Sequence, residues 1–400
     1  MLNMRMRTAI LALGLGFLCS VEAALRSAEV LNGEPVWTSK SAAYGDLTIR
    51  AIYIEAPSYL IELVGKPSSK PRWAFANGTD ASVRALFQRA GIPADIQARL
   101  LDPAQRQQQD GALIIFPSVD DLIALTPEMR TVVYPELAKS DLNEFHQNPI
   151  FIIGADLEDW LRQSKLSNKQ KEIFRKMVWR RGRALAFSDL RTLLLFSETP
   201  EDVTQVFKTI TRTRALLLSL RLPPNADMTA LSNYWSGGFA DADTLPLLQA
   251  AIQRESVMEI DVSHLLPALA RRRLYTYPTL DQTVNGRLPD CHWSSLNFFN
   301  NTARSYYLDT RLAAGALLSQ YERVNAPYRF GDVLAFVSSD SVLHSCVFIA
   351  DDVVFTKNGE NILAPWVFQR MDDVMAIYQT DTSVQIQGYR LKPELRSTQR

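Results

Sequence analysis

Cys291 and His344 are the two residues whose types could together break an acyl bond. Cys291 follows Pro289-Asp290 and begins the segment CHWSSLNFFNN, which reads as the first turn of a helix. A helix N-terminus presents unpaired N–H groups and a positive partial charge, and both favour a thiolate over a thiol. The thiolate is the nucleophile, and it needs a base and a third group to orient that base. His344 begins the apolar run HSCVFIA, so its ring can lean from a strand towards the helix end. Thr356, Lys357 and Asn358 follow at the end of the next strand, and each is a candidate for the orienting group. This chemistry uses no cofactor. Cys291, His292 and His344 are of metal-ligating type but lack the paired spacing of a zinc site, so no metal is expected.

The elements that must position these residues occupy 262–400. The pattern predicts a helix over Leu265–Arg273, a Tyr- and Pro-rich loop at Tyr275–Pro278, and a helix opening at Pro289-Asp290. Strands are then predicted over Val333–Val337, Leu343–Ala350, Val353–Thr356, Val374–Gln379 and Gln385–Arg390. A helix carrying one cysteine followed by an antiparallel sheet is an α+β arrangement. Cys346 lies two residues beyond His344 and so shares its face of the strand. If that face packs on the Cys291 helix, a disulfide between the two cysteines competes with the catalytic reading. The commoner fate of such a cysteine is to fill a sheet–helix contact as a small apolar residue.

At these residues the chain resembles the NlpC/P60 family of cysteine peptidases. The match runs through PDCHWSSLNFF, RFGDVLAF (Arg329–Phe336), HSCVFIADDVVFTKNG (His344–Gly359), Pro365-Trp366 and DDVMAIY (Asp372–Tyr378). It covers the last third of the chain. The resemblance implies a papain-like fold with Cys291 as nucleophile and His344 as base. Thr356 stands closest to the family's third polar position, beside Lys357 and Asn358. Tyr275 or Tyr277 corresponds to an upstream tyrosine that helps hold the oxyanion. The family usually follows its cysteine with Ser-Gly, whereas here His292-Trp293 places two bulky groups beside the cleft. The implied substrate is an amide bond in peptidoglycan stem peptides, which makes a cell-wall peptide the partner.

The remaining two thirds inherit nothing from that resemblance. Met1–Arg7 carries two arginines, Thr8–Ser20 is an uncharged, mostly apolar run, and Val21-Glu22-Ala23 suits a signal peptidase. The expectation is a signal peptide over 1–23 and an exported, periplasmic or secreted chain. The apolar run is shorter than the ~20 residues a helix needs to cross a bilayer, so no integral anchor is expected after its removal. Residues 24–140 read as a mixed α/β region of unassigned role. Leu47–Ile54 and Gly111–Phe116 are expected strands, and Asp80–Leu101 two helices with Asp80 as N-cap. Residues 141–261 read as helical, with helices over Asp156–Arg162, Asn168–Arg183, Asp189–Phe196 and Pro200–Leu220. The run Lys169–Arg183 would form a positive helix, either a solvated face or a clamp on an anionic polymer. His146 and His264 are expected to be surface or capping residues.

The 400 residues contain 43 Lys plus Arg and 43 Asp plus Glu, so no net field draws the chain to nucleic acid. Hydrophobic content of 47% is enough for a sizeable core and excludes a disordered chain. Three cysteines exclude a disulfide scaffold. Oligomeric state is not legible. A second function class stays open beside the hydrolase: a wall-binding or scaffold protein whose hydrolase-like domain has lost its chemistry.

Overall fold

A computed structural model describes residues 27–31, 34–64, 70–154, 156–238, 244–252, 257–339, 341–379 and 383–398. The signal segment 1–23 lies outside them. The chain is α+β, and the strands of each sheet pair antiparallel.

The first sheet runs in the order Ser27–Leu31, Glu34–Ser41, Gly45–Ile54, Thr213–Leu222, Met258–Asp261. Gly45–Ile54 and Thr213–Leu222 pair from Ile54 opposite Thr213 to Asp46 opposite Arg221, although 158 residues separate the two strands along the chain. The expected helix over Pro200–Leu220 is therefore two elements. A helix spans Pro200–Ile210, capped reciprocally by Thr199 and Asp202, and a strand begins at Thr213. Leucine favours helices, but Leu216, Leu218, Leu220 and Leu222 bury one face at a period of two. That period and the partner strand outweigh propensity.

Between the paired strands lies one topology repeated. Strand Trp73–Ala76 is followed by helices Asp80–Arg89 and Ala94–Leu100, the hairpin Arg106–Gln109 with Ala112–Ile115, and helix Val119–Ala124. Strand Ile150–Ile152 is followed by helices Leu157–Arg162 and Asn168–Met177, the hairpin Trp179–Arg181 with Ala184–Phe187, and helix Leu190–Leu194. In each unit the second hairpin strand also pairs with the opening strand. Each hairpin turns at a glycine of positive φ, Gly111 (76°) and Gly182 (58°), where a side chain would be strained. The two units share one hydrophobic core, in which Trp73, Phe75 and Ile115 of the first pack with Ile152, Trp179 and Phe187 of the second. Tyr134 bridges them, its ring 6.1 Å from Trp73 and 5.4 Å from Trp179.

Several expectations for this part change. The helix expected to reach Arg183 stops at Met177, because Trp179–Arg181 and Ala184–Phe187 form the hairpin. The basic run is thus split between two elements, with Arg175 paired to Glu158 and Lys176 to Glu172. Thr79, not Asp80, caps the first helix, since its hydroxyl accepts from the Ser82 N–H. His146 is buried against the Tyr134 ring at 4.7 Å rather than on the surface.

The second large sheet runs Tyr321–Val324, Gln385–Leu391, Val333–Ser338, Ser341–Ala350, Val353–Lys357, Trp366–Arg370. The expected strand Val374–Gln379 is instead part of a helix, Met371–Tyr378. Asp372 and Asp373 favour its first turn, and Val374 and Tyr378, one turn apart, both face the sheet. The helix expected at Leu265 begins at Ala268, after Pro267.

The two faces of this sheet carry different helices. Cys291–Leu296 packs its Trp293 and Leu296 in the cluster of Val347, Ile349 and Phe355. Met371–Tyr378 covers Leu334, Phe336, Cys346, Phe348 and Val354 on the other face. Cys346 therefore does not face the Cys291 helix, and both cysteines are free thiols. The first sheet joins the Cys-helix side through one continuous core, and Gln369 Nε2 donates to the Arg214 carbonyl at 3.0 Å.

Candidate active site

Asp290 sets the position of Cys291. Its carboxylate accepts from the Trp293 N–H at 2.7 Å, which starts the helix at the cysteine. The Ser295 hydroxyl donates to the Cys291 carbonyl at 2.9 Å. The sulfur is buried, and the backbone N–H groups of Ser345 and His292 are directed at it. Burial nevertheless pushes the thiol up to about 12, with Asp290 adding to the rise while those N–H groups and Lys357 oppose it. Cys291 therefore rests as a thiol, whereas the helix end alone predicts a thiolate. Desolvation outweighs the dipole because the first turn is covered.

His344 lies one residue before Ser345, on the face that carries Phe336 and Cys346 and packs on Met371–Tyr378; the expectation that its ring leans towards the Cys291 helix is not met, because the register turns it to the other side of the sheet. The register shifts beside it: Phe336 pairs with His344, but Val337 pairs with Val342, which leaves Leu343 as an extra residue. Such a bulge re-aims the neighbouring side chain. His344 Nε2 is 2.9 Å from Thr356 Oγ1. The ring stacks on Tyr378, centroids 4.3 Å apart and planes at 19°, and Phe336 closes another side at 5.4 Å. Nδ1 is buried without a hydrogen-bond partner. Burial, reinforced by His292, holds the imidazole well below its ordinary value and so neutral.

The three polar residues at the end of Val353–Lys357 diverge. Thr356 meets His344. Lys357 is wholly buried and donates to the carbonyls of Gly359 (2.7 Å) and Asn361 (3.0 Å). Its ammonium sits 5.8 Å from the centre of the Trp366 ring. Burial brings it down to about 7, against the opposing pull of Cys291 and Asp290. Asn358 donates to Gln369 Oε1 at 2.8 Å and is tied towards the first sheet.

The two tyrosines also separate. Tyr275, at φ 60°, donates its hydroxyl to the Leu216 carbonyl at 2.5 Å, so that hydroxyl is committed to the first sheet and the oxyanion role falls away for it. The Tyr277 hydroxyl is buried without a hydrogen-bond partner, and its ring packs in the same core as Leu363. His292 Nδ1 is 2.9 Å from Ser345 Oγ, which in turn donates to Ser295 Oγ at 3.2 Å. This side-chain relay fastens the Cys291 helix to the His344 strand. Its members Ser295 and Ser345, like the Tyr378 stack, were not singled out from sequence. Only the spacing of Ser345 from His344 could have pointed to them.

Cys291, His344 and Thr356 are 5%, 0% and 1% exposed, so all three are closed to solvent. Among the described residues no three His, Cys, Asp or Glu side chains converge as a metal site requires, and no helix is long and apolar enough to cross a membrane. No family model, curated protein or solved structure matches the chain.

Proposed function

We propose that the chain is an exported cysteine hydrolase that cleaves an amide bond, with peptidoglycan stem peptides as substrate and a papain-like, NlpC/P60-type C-terminal domain. One observation carries the reading: a buried imidazole held at Nε2 by Thr356 keeps Nδ1 unpartnered, while the next residue's N–H reaches the Cys291 sulfur. With Nε2–H donating to Thr356, Nδ1 holds a lone pair ready to accept a proton.

In this mechanism the His344 ring first leaves its stack on Tyr378 and turns towards Cys291, whose thiol then gives its proton to Nδ1 as the sulfur attacks the carbonyl carbon. The oxyanion takes the Cys291 backbone N–H and the Tyr277 hydroxyl as donors. Collapse of the tetrahedral species expels the amine, which leaves with the proton from His344. Water then attacks the thioester with His344 as base and frees the acid. Cys291→Ala in the purified chain is expected to abolish release of new amino groups from peptidoglycan while keeping the melting transition. Undiminished release by that variant would refute the reading.

A second reading, a wall-binding scaffold without catalysis, is favoured by the neutral, covered thiol and by Tyr378 stacked on His344. It predicts peptidoglycan binding with no amine release from either form.

A further inference from the structure

Trp366 borders the Cys291 helix and carries two cations. Its indole N–H donates to Ser294 Oγ at 2.7 Å, and its ring lies 6.2 Å from that of Trp293. Both partners belong to the helix Cys291–Leu296, so Trp366 sits on the Cys291 face of the second sheet. Lys357 Nζ is 5.8 Å from the centre of the indole, and the Arg273 guanidinium is 5.3 Å from it. Backbone pairing holds Arg273 at this place. The next residue, Leu274, bridges to Trp366, the Tyr275 N–H donates to the Trp366 carbonyl at 2.7 Å, and the Trp366 N–H donates to the Thr276 carbonyl at 3.1 Å.

The two cations differ in what they hold. Lys357 gives two donors to backbone carbonyls. The half-buried Arg273 guanidinium makes no hydrogen bond or ion pair among the described residues, and its Nε is enclosed without a partner. Burial and the neighbouring Arg272 hold it below its ordinary value, and Asp281, which offsets part of that, forms no ion pair with it. A guanidinium is a planar fork of donors, and leaving it unpaired in a partly dry place is costly unless a ligand takes it.

We propose that Arg273 takes a carboxylate on the peptide whose amide reaches Cys291, and so selects acidic peptides. The inference rests on the hydrolase reading above. A carboxylate meets a guanidinium through two parallel N–H···O bonds, while the indole holds the cation in position. A guanidinium that served only to cover the indole would place no demand on the charge of a ligand.

Protection of Cys291 from iodoacetamide, read by mass mapping of the labelled peptide, tests this without turnover. The purified full chain is treated with N-acetyl-glutamyl-alanine amide, with N-acetyl-glutaminyl-alanine amide, which differs in side-chain charge, and with inorganic phosphate at matched ionic strength. The acidic peptide is expected to half-protect at about tenfold lower concentration than the neutral one, the worth of one charge-assisted hydrogen bond. Arg273→Gln is expected to erase that difference and Arg273→Lys to keep part of it. Equal protection by the two peptides, no protection by either at millimolar concentrations, stronger protection by phosphate, or an undiminished difference in Arg273→Gln would each overturn the proposal. Equal protection beside amine release that is lost in Cys291→Ala would sink the Arg273 assignment alone. Release undiminished in Cys291→Ala would sink the hydrolase reading beneath it.

Discussion

His344 and Thr356 meet across neighbouring antiparallel strands, Nε2 to Oγ1 at 2.9 Å, inside a sheet that excludes water from both. The hydrogen bond fixes the ring plane and leaves Nδ1 as the imidazole's one unengaged nitrogen. Thr356→Val keeps the shape and removes the hydroxyl. A neutral hydrogen bond is worth about 1 kcal/mol, so under the proposed hydrolysis the expected effect is a fall of about fivefold in kcat with KM little changed. Thr356→Asn, which can again accept from Nε2–H, is expected to recover most of it. A Thr356→Val variant with unchanged kcat would remove the threonine from the proposed mechanism.

Tyr378 covers the His344 ring, and burial is the largest cause of the raised Cys291 thiol. Tyr378→Ala is expected to admit water and lower that value. Alkylation of Cys291 by iodoacetamide should then reach half its maximal rate at a lower pH than in the parent. Rate profiles that superimpose would show that Tyr378 does not gate the thiol.

Lys357 titrates near 7 in the folded chain and at about 10.5 when unfolded. Between those values the unfolded state carries a proton that the folded state lacks, so stability rises with pH through that window. The slope is about 1.4 kcal/mol per pH unit for a full proton. Lys357→Met removes this dependence. Urea unfolding at neutral, intermediate and alkaline pH should show the variant's advantage over the parent shrinking as pH rises. Parallel curves would mean that Lys357 keeps its proton in the fold.

The acid side belongs to buried histidines. Burial, with Arg191 adding to it, holds His146 at about 3 in the fold, against 6.5 as the ordinary value. Between 6.5 and 3 the unfolded state binds the extra proton, so stability falls on acidification. His344 is displaced in the same direction by burial. His146→Phe, which keeps an aromatic ring against Tyr134, is expected to make the loss of stability below pH 6 shallower. An unaltered acid slope in denaturant titrations would contradict the assignment.

Local chemistry was legible in the sequence because its causes are local. Asp290 and Asp156 cap helices through bonds to residues three further on, and alternation marked Leu47–Ile54 and Gln385–Arg390 as strands. Proximity of Cys291 to the His344 strand was an expectation drawn from a family resemblance, not from spacing. Tertiary contacts decided the rest. TRALLLSLRL became a strand because a partner from the start of the chain satisfies its backbone. DDVMAIY became a helix because Val374 and Tyr378 had a sheet face to cover. Three consecutive polar residues, Thr356, Lys357 and Asn358, were indistinguishable by type. Strand pairing sent Thr356 to His344, Lys357 to the carbonyls of Gly359 and Asn361, and Asn358 to Gln369. The protonation of Cys291 was the least readable feature. A helix end favours the thiolate wherever it occurs, but desolvation depends on which distant side chains close over it, and in this fold desolvation is the larger effect.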